Sequence, residues 1–224
     1  MTLPQTIAVI GGSGALGGGI AARLALAGLC VVIGSRTAER AEAAAEALRR
    51  ETGCARVRGC ANCDAAATGD LVIVAVPFAS QDETLRAIAP NVAGKIVIDT
   101  TVPLLPPKVA RVQLPREGSA AARAAAALGP DVRLVTAFHN VSAQKLRSGG
   151  PVGCDVLVFG DDTDARSSAV VLIEALGLRA LHGGPLANSA AAEAMTSVLI
   201  AVNRRYGVAE GAGIRLTGIP EAVA

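Results

Sequence analysis

From its sixth residue the chain alternates short apolar runs with longer helical-period stretches. Thr6–Ile10 (TIAVI) is apolar and stops at Gly11-Gly12; residues 14–27 then follow a helical period, and Gly28 supplies a stop. Residues 30–33 predict a second strand and residues 37–50 a long Ala/Glu/Arg helix. Residues 71–76 are apolar at every position, as a parallel strand covered by helices on both faces must be. Residues 95–98 and 132–137 repeat that pattern. Further on come a helix over 119–128, a strand at 156–159, a helix near 164–176, a short strand at 178–181 and a long helix around 190–206. Between Asp99 and Glu117 lie Pro103, Pro106, Pro107 and Pro115, too irregular a stretch for a plain connector, so it is expected to shape a site.

This order predicts parallel strands joined by right-handed helical crossovers. At 224 residues, with no convincing linker, the chain is read as a single domain: a core over about 1–150 and a C-terminal extension over about 151–224.

The first turn then narrows the picture. Gly12-Ser13-Gly14-Ala15-Leu16-Gly17 is a G-x-G-x-x-G between a predicted strand and a predicted helix. Its glycines allow a tight turn, close backbone approach to a pyrophosphate, and tight helix–strand packing. The helix N-terminus offers free N–H groups and partial positive charge to phosphate. The fold class is therefore α/β, a doubly wound, mostly parallel Rossmann-type sheet with a small C-terminal α/β extension.

The end of the second strand selects the dinucleotide. NAD sites usually place Asp or Glu there for the ribose 2′-hydroxyl. Here the chain reads Gly34-Ser35-Arg36-Thr37, with Arg40 one helical turn on. Ser35 can donate a hydrogen bond, and Arg36 and Arg40 can pair with a 2′-phosphate. NADP(H) is the expected dinucleotide.

Composition mainly excludes. Half the residues are hydrophobic but aromatics are scarce, so alanine and small aliphatics must pack the core. A net charge of +2 argues against a polyanion-binding surface, so no nucleic-acid partner is expected. The longest apolar run, residues 71–79, is about half of the ~20 residues a membrane helix needs. No signal peptide is visible, and five cysteines read as reduced thiols, so the cytoplasm is expected. Cys60-Ala61-Asn62-Cys63 lacks the second ligand pair of a zinc site and is read as a coincidence on a surface loop. Asp161 and Asp162, ahead of Thr163 and Asp164, read as helix N-terminal chemistry and not as metal ligands. His182 is read as capping a strand end. His139, at the end of a predicted strand, stands where open α/β sheets collect ligands.

Several of these residues together resemble a known family. The segments GGSGALGGG over 11–19, Ile33-Gly34-Ser35-Arg36, Val76-Pro77 and Phe138-His139 are similar to those of the NADPH-dependent coenzyme F420 reductases. So are Gly160-Asp161-Asp162, Gly184-Pro185-Leu186, Asn188-Ser189 and Gly213-Ile214-Arg215-Leu216. The resemblance runs in register over nearly the whole chain. It implies a homodimeric cytosolic enzyme that passes hydride between NADPH and the deazaflavin coenzyme F420. It places Ser13, Gly14, Ala15 and Leu16 at the pyrophosphate and Ser35, Arg36 and Arg40 at the 2′-phosphate. Val76, Pro77, Ser80, Val102 and Ala143 fall along the nicotinamide half, and His139, Asn140, Val141 and Thr196 against the acceptor. Direct hydride transfer needs close, dry placement, so no obligatory acid, base, nucleophile or metal is named.

The acceptor half departs from the family pattern. Asn140-Val141-Ser142 stands for the usual Thr-Ile-Pro, Ala190 for a family arginine, and Ala194 for a family serine; the loop Asp99-Thr100-Thr101 also differs. Two other readings therefore stay open: an NADPH-dependent reductase of another heterocycle, such as a pterin or cyclic imine, and a non-catalytic NADP(H) sensor. The Ala-rich stretch 187–202 is expected to pack against a partner subunit.

Overall fold

The structure, a computed structural model, describes residues 3–219. Its strands are β1 (Thr6–Ile10), β2 (Cys30–Ser35), β3 (Val57–Ala61), β4 (Leu71–Val74), β5 (Ile96–Asp99), β6 (Arg133–Thr136), β7 (Asp155–Phe159) and β8 (Arg179–Gly184). The helices are α1 (Ala15–Leu26), α2 (Ala38–Thr52), α3 (Asn62–Thr68), α4 (Phe78–Ile88), α5 (Ala120–Leu128), α6 (Ala143–Arg147), α7 (Thr163–Ala175) and α8 (Ser189–Tyr206).

One sheet runs in the order β3-β2-β1-β4-β5-β6-β7-β8. All pairs are parallel except β6 with β7, which meet antiparallel through Thr136 and Phe159. The strand order reverses between β1 and β4, and this switch point opens a crevice beyond the strand ends. The all-apolar strands feed two cores by simple alternation. Ile7, Val9, Leu71 and Ile73 face one helical layer, and Ala8, Ile10, Val72 and Val74 face the other.

The helix ends show why these segments stop where they do. Thr37, Ser119, Ser142 and Asp162 cap α2, α5, α6 and α7 with their side chains, and left-handed Gly53 and Gly207 close α2 and α8. Asp162 also pairs with Arg133, which holds its carboxyl well below the usual range; this is the helix N-terminal role expected of it. Asp161 accepts from the Leu186 N–H.

Four elements differ from the sequence expectation. β3 reads VRGCA, a half-polar edge strand without clean alternation. Its Gly59 is required by packing, since a Cβ there would lie 2.2 Å from the Ala41 carbonyl carbon of α2. α3 follows at once, so Cys60 lies in a strand and Cys63 in a helix, and not on a surface loop. α4 was hidden because it begins directly after Pro77, at the end of the apolar run. α6 is only five residues long. His182 lies inside β8, exposed, and so caps no strand end.

Arg23 ties the extension to the core. Buried in α1, it donates to the Leu146, Lys145 and Gly150 carbonyls around the end of α6 and to the Leu176 carbonyl after α7. A cation there satisfies carbonyls that the helices leave unpaired. Among the described residues no helix is long and apolar enough to cross a membrane.

Candidate functional site

The crevice at the switch point is lined by Gly11, Ser13 and Gly14 after β1, Ser35, Arg36 and Arg40 after β2, Asn62 after β3, and Ala75, Val76, Pro77, Ser80 and Thr84 after β4. The first turn is built by crowding. A Cβ on Gly12 would lie 2.8 Å from the Val9 carbonyl oxygen, and one on Gly17 2.5 Å from that of Gly11. Gly14 is exposed and meets only the Gly11 carbonyl oxygen, at 3.2 Å, so its missing side chain leaves open space above the turn. No side chain caps α1 and no acid stands in its first turn, which leaves its N–H groups available to an anion.

The corner formed by Ser35, Arg36 and Arg40 lies alongside. The buried Ser35 hydroxyl is 3.2 Å from that of Ser13, joining the ends of β1 and β2. Arg36 and Arg40 are exposed, and no carboxylate is among the lining residues. Val76, Pro77 and Ser80 are among the lining residues. Val102 is half-buried beyond β5 and is absent from this lining. Ala143 opens α6, which packs on α1; its carbonyl oxygen would be 2.8 Å from a Gly19 Cβ. Ala143 is not among the residues that line this crevice.

A second cluster forms at the β6/β7 seam. His139 and Asn140 are buried directly after β6. Asn140 Nδ2 donates to the Ala192 carbonyl (2.9 Å) and to Thr196 Oγ1 (3.1 Å), and Thr196 Oγ1 donates to the His139 carbonyl (2.9 Å). Val141 packs on the main core. Helix α8 thus holds the His139–Asn140 backbone in place.

The His139 ring lies 6.1 Å from that of Phe159, and its Nε2 is buried without a hydrogen-bond partner. Burial pushes its pKa down to about 4, so the imidazole is neutral at pH 7. Phe138 has φ 65°, a left-handed backbone that costs a bulky residue about 1–3 kcal/mol and turns the chain at this point.

Sequence reasoning missed the buried polar seam linking these clusters. Asp99 accepts from Gln81 Nε2 (2.6 Å) and Thr101 Oγ1 (2.6 Å), yet burial still pushes its pKa up to about 6. Glu193 of α8 is buried and accepts from the Ala120 and Ala121 N–H groups at the start of α5 (2.6 and 3.0 Å). Burial raises its pKa as well, against those two hydrogen bonds. The only local signal was a lone glutamate inside an alanine-rich helix. Asn62 and Thr84 were missed because β3 and α4 were not recognised.

Comparison with known proteins agrees with this geometry. Residues 6–103 match the family model described as NADP oxidoreductase coenzyme F420-dependent. The F420-dependent NADP reductase of Methanothermobacter thermautotrophicus is 43% identical, with 96% of each chain covered. That of Methanocaldococcus jannaschii is 37% identical over 95% of this chain and 98% of its own. A crystal structure from Arthrobacter sp. FB24, provisionally described as an F420-dependent NADP-reductase, superimposes with a TM-score of 0.79 at 25% identity, covering 96% of this chain and 99% of that one. Rossmann topology, the glycine turn and near full-length identity agree, and the chain belongs to the F420-dependent NADP reductase family.

Proposed function

We propose that this protein transfers hydride between NADPH and coenzyme F420. The observation that carries the reading is the acid-free corner at Ser35, Arg36 and Arg40, placed beside an open glycine turn on a chain of this family. Gly12 to Gly17 would receive the pyrophosphate on backbone N–H groups. Ser35, Arg36 and Arg40 would hold the 2′-phosphate through charge-assisted hydrogen bonds. Val76, Pro77 and Ser80, with Val102 and Ala143 further off, would flank the nicotinamide half.

The nicotinamide and the deazaflavin would exchange one hydride directly. The residues of the chain bind the two flat rings, exclude water and fix their approach. His139, neutral and buried, presents an uncharged face to an acceptor ring, and Asn140, Val141 and Thr196 set its position. The core over about 1–150 would carry the dinucleotide, while the extension, through α8, would complete the acceptor side. Exposed Met195, Val198 and Tyr206 on α8 support a homodimer built on that helix. Five free thiols support a reducing, cytoplasmic location.

Anaerobic mixing of the protein with NADPH and coenzyme F420 tests the reading. Loss of the deazaflavin's visible absorbance is the expected result. Tight NADPH binding without bleaching would refute F420 as acceptor. It would favour the second reading, a reductase of another heterocycle such as a pterin or cyclic imine. The small side chains at Ala190 and Ala194 favour that alternative, since they leave no charged donor at those positions.

A further inference from the structure

Asn62 stands at the dinucleotide crevice with no internal employment. It is the first residue of α3, immediately after β3. Ser35 pairs with Ala61 in the β2–β3 register, so Asn62 follows the position opposite Ser35 just as Arg36 follows Ser35 itself. Arg36, Arg40 and Asn62 line one crevice.

The two ends of the carboxamide differ. Oδ1 is buried with no hydrogen-bond partner, turned toward Gly34, where a Cβ would approach it to 3.0 Å. Gly34 is thus the residue that lets the carboxamide sit this deep. Among the described residues nothing hydrogen-bonds the Asn62 carboxamide, and Oδ1 is its only side-chain polar atom shut away without a partner. Nδ2 is therefore the end left open on the crevice side. With the amide turned over, an N–H would be buried unpaired, which is the costlier orphan.

We infer that Asn62 is a specificity-determining residue for the dinucleotide, its Nδ2 donating to the phosphate on the adenosine ribose. The inference rests on the NADP(H) reading above. A neutral donor beside two exposed arginines reads an acceptor oxygen without adding charge. Phosphate offers anionic acceptor oxygens, and a ribose hydroxyl at the same place is a neutral and therefore weaker acceptor. Asn62 thus favours the phosphorylated ribose, and the fixed start of α3 holds it in line with Ser35.

The test is equilibrium binding, followed by calorimetry, of NADP+, NAD+, 2′,5′-ADP and 5′-AMP to the full chain and to Asn62→Ala and Asn62→Asp. Asn62→Ala should lose about tenfold in affinity for NADP+ and 2′,5′-ADP while NAD+ and 5′-AMP change less than twofold. Asn62→Asp should lose more for the two phosphorylated ligands, because a carboxylate repels the 2′-phosphate. Unchanged thermal midpoints establish that both variants fold; if Asn62→Ala is destabilised, Asn62→Gln, which keeps the donor, serves as the second variant and should retain selectivity.

Equal losses for phosphorylated and unphosphorylated ligands, or no loss at all, would overturn the inference, the first by pointing to the adenine ring. A parent protein that binds NADP+ no better than NAD+ would instead sink the NADP(H) reading itself. The two failures are thereby separate.

Discussion

The crevice at the glycine turn and the corner around His139 are built by different means. The crevice is a property of strand ends. β1, β2, β3 and β4 run parallel in the sheet, and the residues just past each one line the space by sequence adjacency alone. The His139 corner is a property of long-range packing. Its geometry depends on Asn140 reaching α8, on Phe138 turning through a left-handed backbone, and on Phe159 arriving from a strand of opposite direction. A C-terminal strap adds to it: a Cβ on Gly211 would lie 3.1 Å from the Ser142 Cβ, and one on Gly213 3.3 Å from the Asn140 carbonyl oxygen. One region follows from the parallel strand ends, whereas the other is assembled from β6, β7, α8 and the C-terminal segment by side-chain packing and hydrogen bonds. The second should therefore be the easier to disturb from a distance.

The strap gives the largest effect. Asp155 of β7 is buried and pairs with Arg179 of β8 (3.0 Å) while accepting from the Leu216 N–H; its own N–H donates to the Ile214 carbonyl. Asp155→Ala leaves a nearly buried guanidinium without its counter-ion and should cost about 3–5 kcal/mol, read by urea unfolding. At temperatures where the variant stays folded, acceptor KM should rise while NADPH affinity holds. Parallel losses at both sites would erase the distinction between the two regions.

Arg36→Glu strikes the other region. It replaces an attractive charge with a repulsive one and should lower NADPH affinity about a hundredfold, with NADH affected only severalfold, by fluorescence titration. The His139 corner should be untouched, so acceptor affinity should stay within twofold. An equal loss for NADPH and NADH would mean that the selectivity corner lies elsewhere.

Acidification sharpens the comparison within the buried groups. The His139 pKa falls from 6.5 to about 4 on folding, so its contribution is full above pH 6.5 and is lost as pH falls toward 4. The Asp99 pKa rises from 3.8 to about 6, so its contribution is full below pH 3.8 and is lost as pH rises through 6. Each is on the order of 3 kcal/mol, and the two oppose one another between pH 4 and 6. Relative to the parent protein, Asp99→Asn should become less stable on acidification from pH 6.5 to 4.5, and His139→Gln more stable. Urea midpoints at the two pH values check both signs.

The smallest effect is that of Arg40→Ala. Arg40 is exposed, so its removal should weaken NADPH binding only a few-fold, with that difference shrinking in high salt. A loss as large as that of Arg36→Glu would mean that Arg40 carries the main phosphate contact.

Local pattern alone determined the glycine turn, the Ser35-Arg36 corner and most of the parallel sheet. Those features depend on backbone freedom, apolar runs and residues next to a strand end, all of which neighbours in the chain specify. Tertiary structure decided the rest. β3 is a strand because it pairs along β2, where Gly59 leaves room for α2, an approach that no local propensity announces. Asn62 reached the crevice only through that strand, and Glu193 became a helix cap only because α8 folds back on α5. Buried polar groups take their roles from partners distant in sequence, since it is the loss of water on packing that makes a partner necessary.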